Sequence, residues 1–315
     1  MKDSYGRDIY YLRISVTDLC NLRCIYCMPE DGVEKRRHED ILSIEEIAEI
    51  VRAAAACGIT KVRVTGGEPL VRSGIIDICR RVSETPGIRE LCLTTNGILL
   101  PKFAEELKAA GVKRLNISLD SLDPETYRRI TRTGTLESAP EGVNTAISAG
   151  FEAIKINAVL IGGVNDSEIL ALLDLTRKHD ANVRFIEMMP IGETASWAET
   201  RFISAARVLE LAPELSEIGT DGVAKLYRMP AGLGTVGLIS PISSHFCPTC
   251  NRIRVASDGK LKPCLHSAEE INLRGLKGIE LEEAIRSAII GKPQKHKLDA
   301  GGISASMRNM NAIGG

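Results

Sequence analysis

Two groups of three cysteines stand out in the chain. "CNLRCIYC" places Cys20, Cys24 and Cys27 at a CxxxCxxC spacing, and "FCPTCNRIRVASDGKLKPC" places Cys247, Cys250 and Cys264 at CxxC and then thirteen residues further on. Three thiolates are one fewer than a closed tetrahedral zinc site uses and one fewer than the four that hold an ordinary iron–sulfur cluster. Each triplet therefore raises the question of its fourth ligand. Beside the second triplet, His266 completes a Cys₃His zinc set and His245 offers a further nitrogen, so local spacing leaves zinc and iron–sulfur both open. Cys57, Cys79 and Cys92 lie in an Ala-rich helix pattern, an apolar helix pattern and a strand pattern, and read as buried apolar residues.

Composition narrows the class. A chain of 315 residues, 44% of them hydrophobic, buries a substantial core in one large domain or two smaller ones. Forty basic against forty-one acidic residues leave a formal charge of −1, which offers no global field for nucleic acid or an acidic membrane. The stretch "MKDSYGRDIYY" has no apolar h-region, and no apolar run approaches the roughly 18 to 20 residues that span a bilayer. A cytoplasmic protein is expected, where nine cysteines are metal ligands or core residues rather than disulfides.

The elements that must hold these cysteines alternate. Strands are read in "YYLRISVT", "KVRVTGG", "ELCLTTN", "KRLNISLD", "AIKINAVLI" and "NVRFIEM", with amphipathic helices such as 43–57, 101–110 and 166–179 between them. Six βα units predict a parallel sheet curled as an incomplete (β/α)6 barrel of the TIM kind, since eight units need roughly 250 residues. Residues 1–200 then form the partial barrel, and 201–315 an extension that closes it.

The strands are not uniformly apolar, as parallel strands buried on both faces are. Leu12, Ile14 and Val16 interleave with Arg13, Ser15 and Thr17; Leu115, Ile117 and Leu119 with Asn116, Ser118 and Asp120; Ile154 and Ile156 with Lys155 and Asn157. Side chains at i and i+2 share a face. One face packs on helices, so the polar face looks into a wet lumen. Arg13, Arg63, Lys155 and Arg184 point inward against Asp120 and Glu187, an excess of positive charge that suits a polyanion such as a polyphosphate. The plain alternative pairs these basic residues with Asp120, Glu187 or Glu68. An open antiparallel sheet with one solvated face also alternates, but the intervening helices argue for parallel crossovers.

With Tyr26 before its third cysteine, the first triplet resembles the CxxxCxΦC signature of the radical S-adenosylmethionine enzymes. The resemblance implies a 4Fe–4S cluster on Cys20, Cys24 and Cys27 whose open iron takes S-adenosylmethionine as the fourth ligand and, once reduced, yields a 5′-deoxyadenosyl radical. "VTGGEPL" matches the same family's GGE motif: Gly66 and Gly67 would let the backbone approach the cofactor's methionine part, and Glu68 would accept from its amino group. Ser118 and Met189 fall where family members contact the cofactor, although Met189 at a barrel end also suits plain packing.

The second triplet, "GRDIYYLRISVTDLCNLRCIYCMPEDG", "RFIEMMPIGE" and the terminal Gly-Gly together resemble the GTP 3′,8-cyclase family of molybdenum cofactor biosynthesis, nearly end to end. This implies a second 4Fe–4S cluster on Cys247, Cys250 and Cys264 whose open iron meets the guanine. Abstraction of the ribose 3′ hydrogen and attack of C3′ on C8 then give (8S)-3′,8-cyclo-7,8-dihydro-GTP. The implied GTP contacts are Arg13, Arg63, Thr94, Lys155, Arg252, Ile253 and Arg254, with Arg184 a further phosphate candidate. Chain ends are usually free; the resemblance instead threads Gly314 and Gly315 into the site. It also implies an external electron donor and a downstream pterin synthase, with a homodimer left open. Leu19 and Gly162 depart from the family's basic residues, which touches accessory contacts rather than cluster ligands. The rival readings are a peptide-modifying radical S-adenosylmethionine enzyme and a zinc-stabilised binding module.

Overall fold

The computed structural model describes residues 1–296, 298, 302 and 304–314. All six expected strands form: β1 (Tyr11–Ser15), β2 (Lys61–Thr65), β3 (Glu90–Thr95), β4 (Val112–Ser118), β5 (Ala153–Leu160) and β6 (Asn182–Glu187). Each pairs in parallel with the next. The crossovers carry helices α1 (Ile44–Ala56), α2 (Ile75–Ser83), α3 (Leu100–Ala109), α4 (Pro124–Thr131), α5 (Ser138–Ala149) and α6 (Ile169–Lys178). The first helix begins where its sequence says it should. Ser43 Oγ accepts from Glu46 N at 3.1 Å while Ser43 N donates to Glu46 Oε2 at 2.7 Å, a reciprocal capping box.

The rest of the chain extends the same sheet at both edges. β7 (Ser216–Asp221), β8 (Ala224–Arg228) and β9 (Thr235–Ile239) lie beyond β6; β10 (Arg252–Val255), β11 (Lys260–Lys262) and β12 (Ile271–Asn272) lie beyond β1. β9 and β10 join in parallel, whereas β7, β8, β11 and β12 add antiparallel hairpins. A parallel barrel built of β1–β6 thus corrects the antiparallel alternative for the core strands only.

The period-2 reading of the strands holds. Leu12, Ile14, Val62, Val64, Leu115, Ile117, Ile154, Ile156, Val183, Phe185, Ile253 and Val255 all belong to one hydrophobic core with the helices. Cys57 and Cys79 join that core, while Cys92 is equally buried but lies outside it, its thiol 3.3 Å from Glu90 Oε1. Among the described residues no helix is long and apolar enough to cross a membrane.

Candidate active site

The cysteine loop leaves the C-terminal end of β1 and is pinned from two sides. Arg23 N and Ile25 N donate to Thr131 O and Ile130 O, both at 2.9 Å, fixing it to the end of α4. Arg132, held at φ 61° in the left-handed region, reaches back with Nη1 to the carbonyls of Arg23 and Met28. On the other side, Gly67 N and Glu68 N donate to Thr17 O and Leu19 O at 2.8 Å. A Cβ on Gly67 would stand 2.4 Å from Leu19 O, and one on Gly66 2.7 Å from Thr17 O. Both glycines line the cavity described below, but what demands glycine here is the approach of the β2 loop to the cysteine loop.

Two of the sequence-predicted residues, Glu68 and Ile253, lie outside the lining of the cavity described below. Glu68 is 1% exposed and is spent on three donors, Leu70 N, Thr95 Oγ1 and Asn96 N, at 2.7 to 2.9 Å. It braces the loop and lies outside the cavity lining, and burial pushes its carboxyl up to about 7. Ile253 packs into the core, as a residue between Arg252 and Arg254 on a strand must.

Topology separates the triplets. Cys20, Cys24 and Cys27 follow β1, whereas Cys247 and Cys250 precede β10, which runs parallel to β1. β11 returns antiparallel to β10, so Cys264 at its exit comes back to the entry of β10. The two triplets therefore face the lumen from opposite mouths. Arg7 ties the second mouth together, its Nη1 donating to Cys247 O and Gln294 O at 2.9 Å and its Nη2 to Pro293 O at 2.8 Å.

One cavity of about 400 Å³ joins them. All six cysteines line it, and so do Tyr26, Gly67, Ser118 and Met189 at the first mouth. Between the mouths it is lined by Arg13, Arg63, Thr94, Lys155, Arg184, Arg252 and Arg254. Met188, not Met189, takes the packing role, in a small cluster with Ile130, Ile161 and Val164. The C-terminal segment reaches this lining: Met310 is part of it, and Gly314 O accepts from Arg254 Nη1 at 2.9 Å and from Arg13 Nη2 at 3.2 Å. Gly314 has φ 74°, and a Cβ there would meet Thr65 Oγ1 at 2.3 Å, so the seat admits only glycine. Gly315 lies outside the described residues.

The donor chemistry of the first triplet fits a cationic cluster. Burial first, then the neighbouring thiols and Asp120, push the Cys27 thiol to about 12 and Cys24 well above the ordinary value; burial likewise lifts Cys20 to about 11. Such groups become thiolates only when a metal supplies the compensating charge. At the second triplet burial is outweighed at Cys250, where Lys292, Arg252 and Arg7 hold the thiol below its usual value. His266 Nδ1 lies 3.2 Å from Ser304 Oγ.

The lumen cations are not neutralised by the carboxylates that sequence suggested. Asp120 accepts from Tyr26 Oη at 2.7 Å and Val159 N at 2.8 Å. Glu187 accepts from Ala205 N, Ile242 N and Ser243 N at 2.9 to 3.0 Å, tying two stretches of the extension to β6. Glu68 is engaged as above. Asp221, at the β7–β8 turn, is the carboxylate that meets Lys155 and Arg184, and nothing local in the sequence marks it. Burial first, then like charges nearby, bring Lys155 to about 8 and Arg184 and Arg254 to about 10. Buried in the lining, Arg252 Nε and the amide oxygens of Asn116, Asn157 and Asn251 find no hydrogen-bond partner among the described residues, which is the signature of a polar ligand's place.

Residues 14–176 match the family model described as Radical SAM superfamily, and residues 181–298 the one described as Molybdenum Cofactor Synthesis C. The chain is 51% identical over 322 residues to a GTP 3′,8-cyclase of Alkaliphilus oremlandii, with 100% of each chain covered. It is 52% identical over 320 residues to that of Alkaliphilus metalliredigens, again with 100% of each covered. In fold it resembles Streptococcus suis SuiB bound to precursor peptide SuiA, with a TM-score of 0.65 at 16% identity, covering 90% of this chain and 67% of that one.

Proposed function

The chain belongs to the radical S-adenosylmethionine superfamily and, within it, to the GTP 3′,8-cyclase family, and from that membership we propose how its cavity is divided. Its activity is the radical cyclisation of GTP that serves molybdenum cofactor biosynthesis. The family's 4Fe–4S cluster belongs on Cys20, Cys24 and Cys27, with S-adenosylmethionine beside Tyr26, Gly67, Ser118 and Met189. Bound there, the pair supplies a 5′-deoxyadenosyl radical.

At the opposite mouth Cys247, Cys250 and Cys264 hold a second 4Fe–4S cluster against which the guanine is set. GTP lies between. Arg13, Arg63, Thr94, Lys155, Arg184, Arg252 and Arg254 grip it, Arg by its bidentate fork and Lys as a point charge. They orient the ribose toward the first mouth. Asn116, Asn157 and Asn251 offer acceptors for hydroxyl or amino groups. The tail, seated through Gly314 on Arg13 and Arg254, keeps these two guanidinium groups aimed. An external electron donor and a downstream pterin synthase complete the proposed sequence.

The observation that carries this reading is the single basic cavity with a cysteine triplet at each mouth. Anaerobic reconstitution followed by iron, sulfide and zinc analysis tests it. About eight irons per chain, four at each triplet, are expected; zinc at the second triplet refutes the two-cluster division.

A further inference from the structure

Asp221 stands at the tip of the β7–β8 hairpin and reaches inward. Its Oδ2 is 2.5 Å from Lys155 Nζ and 2.6 Å from Arg184 Nη2, so one carboxylate oxygen bridges two cations. The two basic side chains are 7% and 8% exposed, whereas that of Asp221 is 41% exposed. An anion from the rim thus occupies two of the lumen cations that a triphosphate would take. Gly237 on β9 makes room for this: a Cβ there would press on Arg184 Cγ at 3.0 Å.

The outer strand of the hairpin that carries Asp221 is exposed, while β8 is anchored on β9 and buries Ala224 and Tyr227. β7 is the edge strand of the sheet, residues 216–220 are exposed, and its ladder with β8 slips register between Glu217 and Gly219. Gly222, at φ 65°, and Val223 follow at the tip and line the same cavity. Few buried contacts along β7 mean a low local cost of moving that strand. Arg184 does not depend on Asp221 for its aim, because its Nε is also held by Asn182 Oδ1 at 2.5 Å.

We propose that Asp221 is a built-in competitor of the substrate's phosphates: it neutralises Lys155 and Arg184 in the empty lumen, gives them up when a triphosphate enters, and so sets how tightly the tail is held. This rests on the reading that puts the triphosphate on those two cations. A phosphate cannot share them with Asp221 without bringing like charges into contact, which is costly in a partly dry site. The exposed edge strand β7, which ends in Asp221, is the element best able to withdraw.

The test uses the anaerobically reconstituted full chain, with Asp221→Asn, Lys155→Ala and Arg184→Ala. Dissociation constants are measured for inorganic tripolyphosphate, GTP and guanosine by equilibrium dialysis. Asp221→Asn is expected to tighten tripolyphosphate and GTP by about tenfold, the worth of one charge-assisted contact no longer competed for, and to leave guanosine unchanged. Lys155→Ala is expected to weaken the two phosphate ligands. If Asp221→Asn weakens them or changes nothing while Lys155→Ala weakens them, Asp221 is a brace and the competitor is refuted with the phosphate site intact. An equal gain for guanosine also refutes it. If neither Lys155→Ala nor Arg184→Ala affects tripolyphosphate or GTP, the phosphate assignment itself falls and the competitor with it.

Discussion

Arg254→Ala is the sharpest probe of the basic lumen. Arg254 is nearly buried, lies beside Arg13 in the β1–β10 ladder, and donates to Gly314 O at 2.9 Å. Burial and then Arg252 bring its guanidinium to about 10, so it stays charged at neutral pH. A hydrogen bond from a charged donor contributes about 1.5–3 kcal/mol, which corresponds to roughly tenfold to a hundredfold in affinity. Alanine also removes one of the donors to Gly314 O, Arg13 being another. GTP binding should therefore weaken by at least about tenfold, with unchanged iron content and unchanged uncoupled cleavage of S-adenosylmethionine. Arg254→Lys keeps the charge but not the fork and should fall between the two. The assay is equilibrium binding of GTP, GMP and guanosine alongside iron analysis, with the largest loss for GTP if the contact is to the phosphate tail. A variant that binds GTP like the parent with its iron intact refutes the lumen as the triphosphate site. A variant that loses iron makes Arg254 a brace for the cysteine loop.

Four further outcomes are expected. Cys24→Ala should abolish 5′-deoxyadenosine formation, because two thiolates do not hold the reducible cluster; survival at the parent rate refutes the first assignment. Cys250→Ala should halve the iron, spare uncoupled S-adenosylmethionine cleavage and eliminate the cyclised nucleotide, and an unchanged cyclisation rate would remove the second triplet from the substrate's path. Gly67→Ala should lower iron at the first triplet, since a Cβ meets Leu19 O at 2.4 Å and backbone cannot yield cheaply; iron analysis and circular dichroism separate local from global damage. GTP affinity should be full below pH about 8 and fall above it, as the buried Lys155, flanked by Arg184, Arg63 and Asp221, loses its proton. Lys155→Arg should flatten that pH profile, because guanidinium does not titrate there.

The sequence determined the lumen by itself. In β1, β4 and β5 the side-chain period of two, combined with helices that force parallel crossovers, left Arg13, Asn116 and Lys155 no face but the inner one. Cysteine spacing is equally local, so both triplets were legible as ligand sets of three, as were the capping box at Ser43 and the strands themselves. Tertiary structure decided how the charges and glycines are used. Asp221 lies 66 residues from Lys155 and 37 from Arg184. Nothing in its own stretch, "TDGV", marks it as their partner. Glu68 and Glu187 looked like partners for the lumen cations because charge alone carries no direction; their carboxylates turned instead to backbone donors of neighbouring loops, which folding leaves without any other acceptor. Gly66 and Gly67 read as room for a cofactor, whereas the close approach of two loops requires them. That the triplets face each other across one cavity follows from β11 running antiparallel to β10. Strand direction is settled by pairing between segments distant in sequence, and no local pattern encodes it.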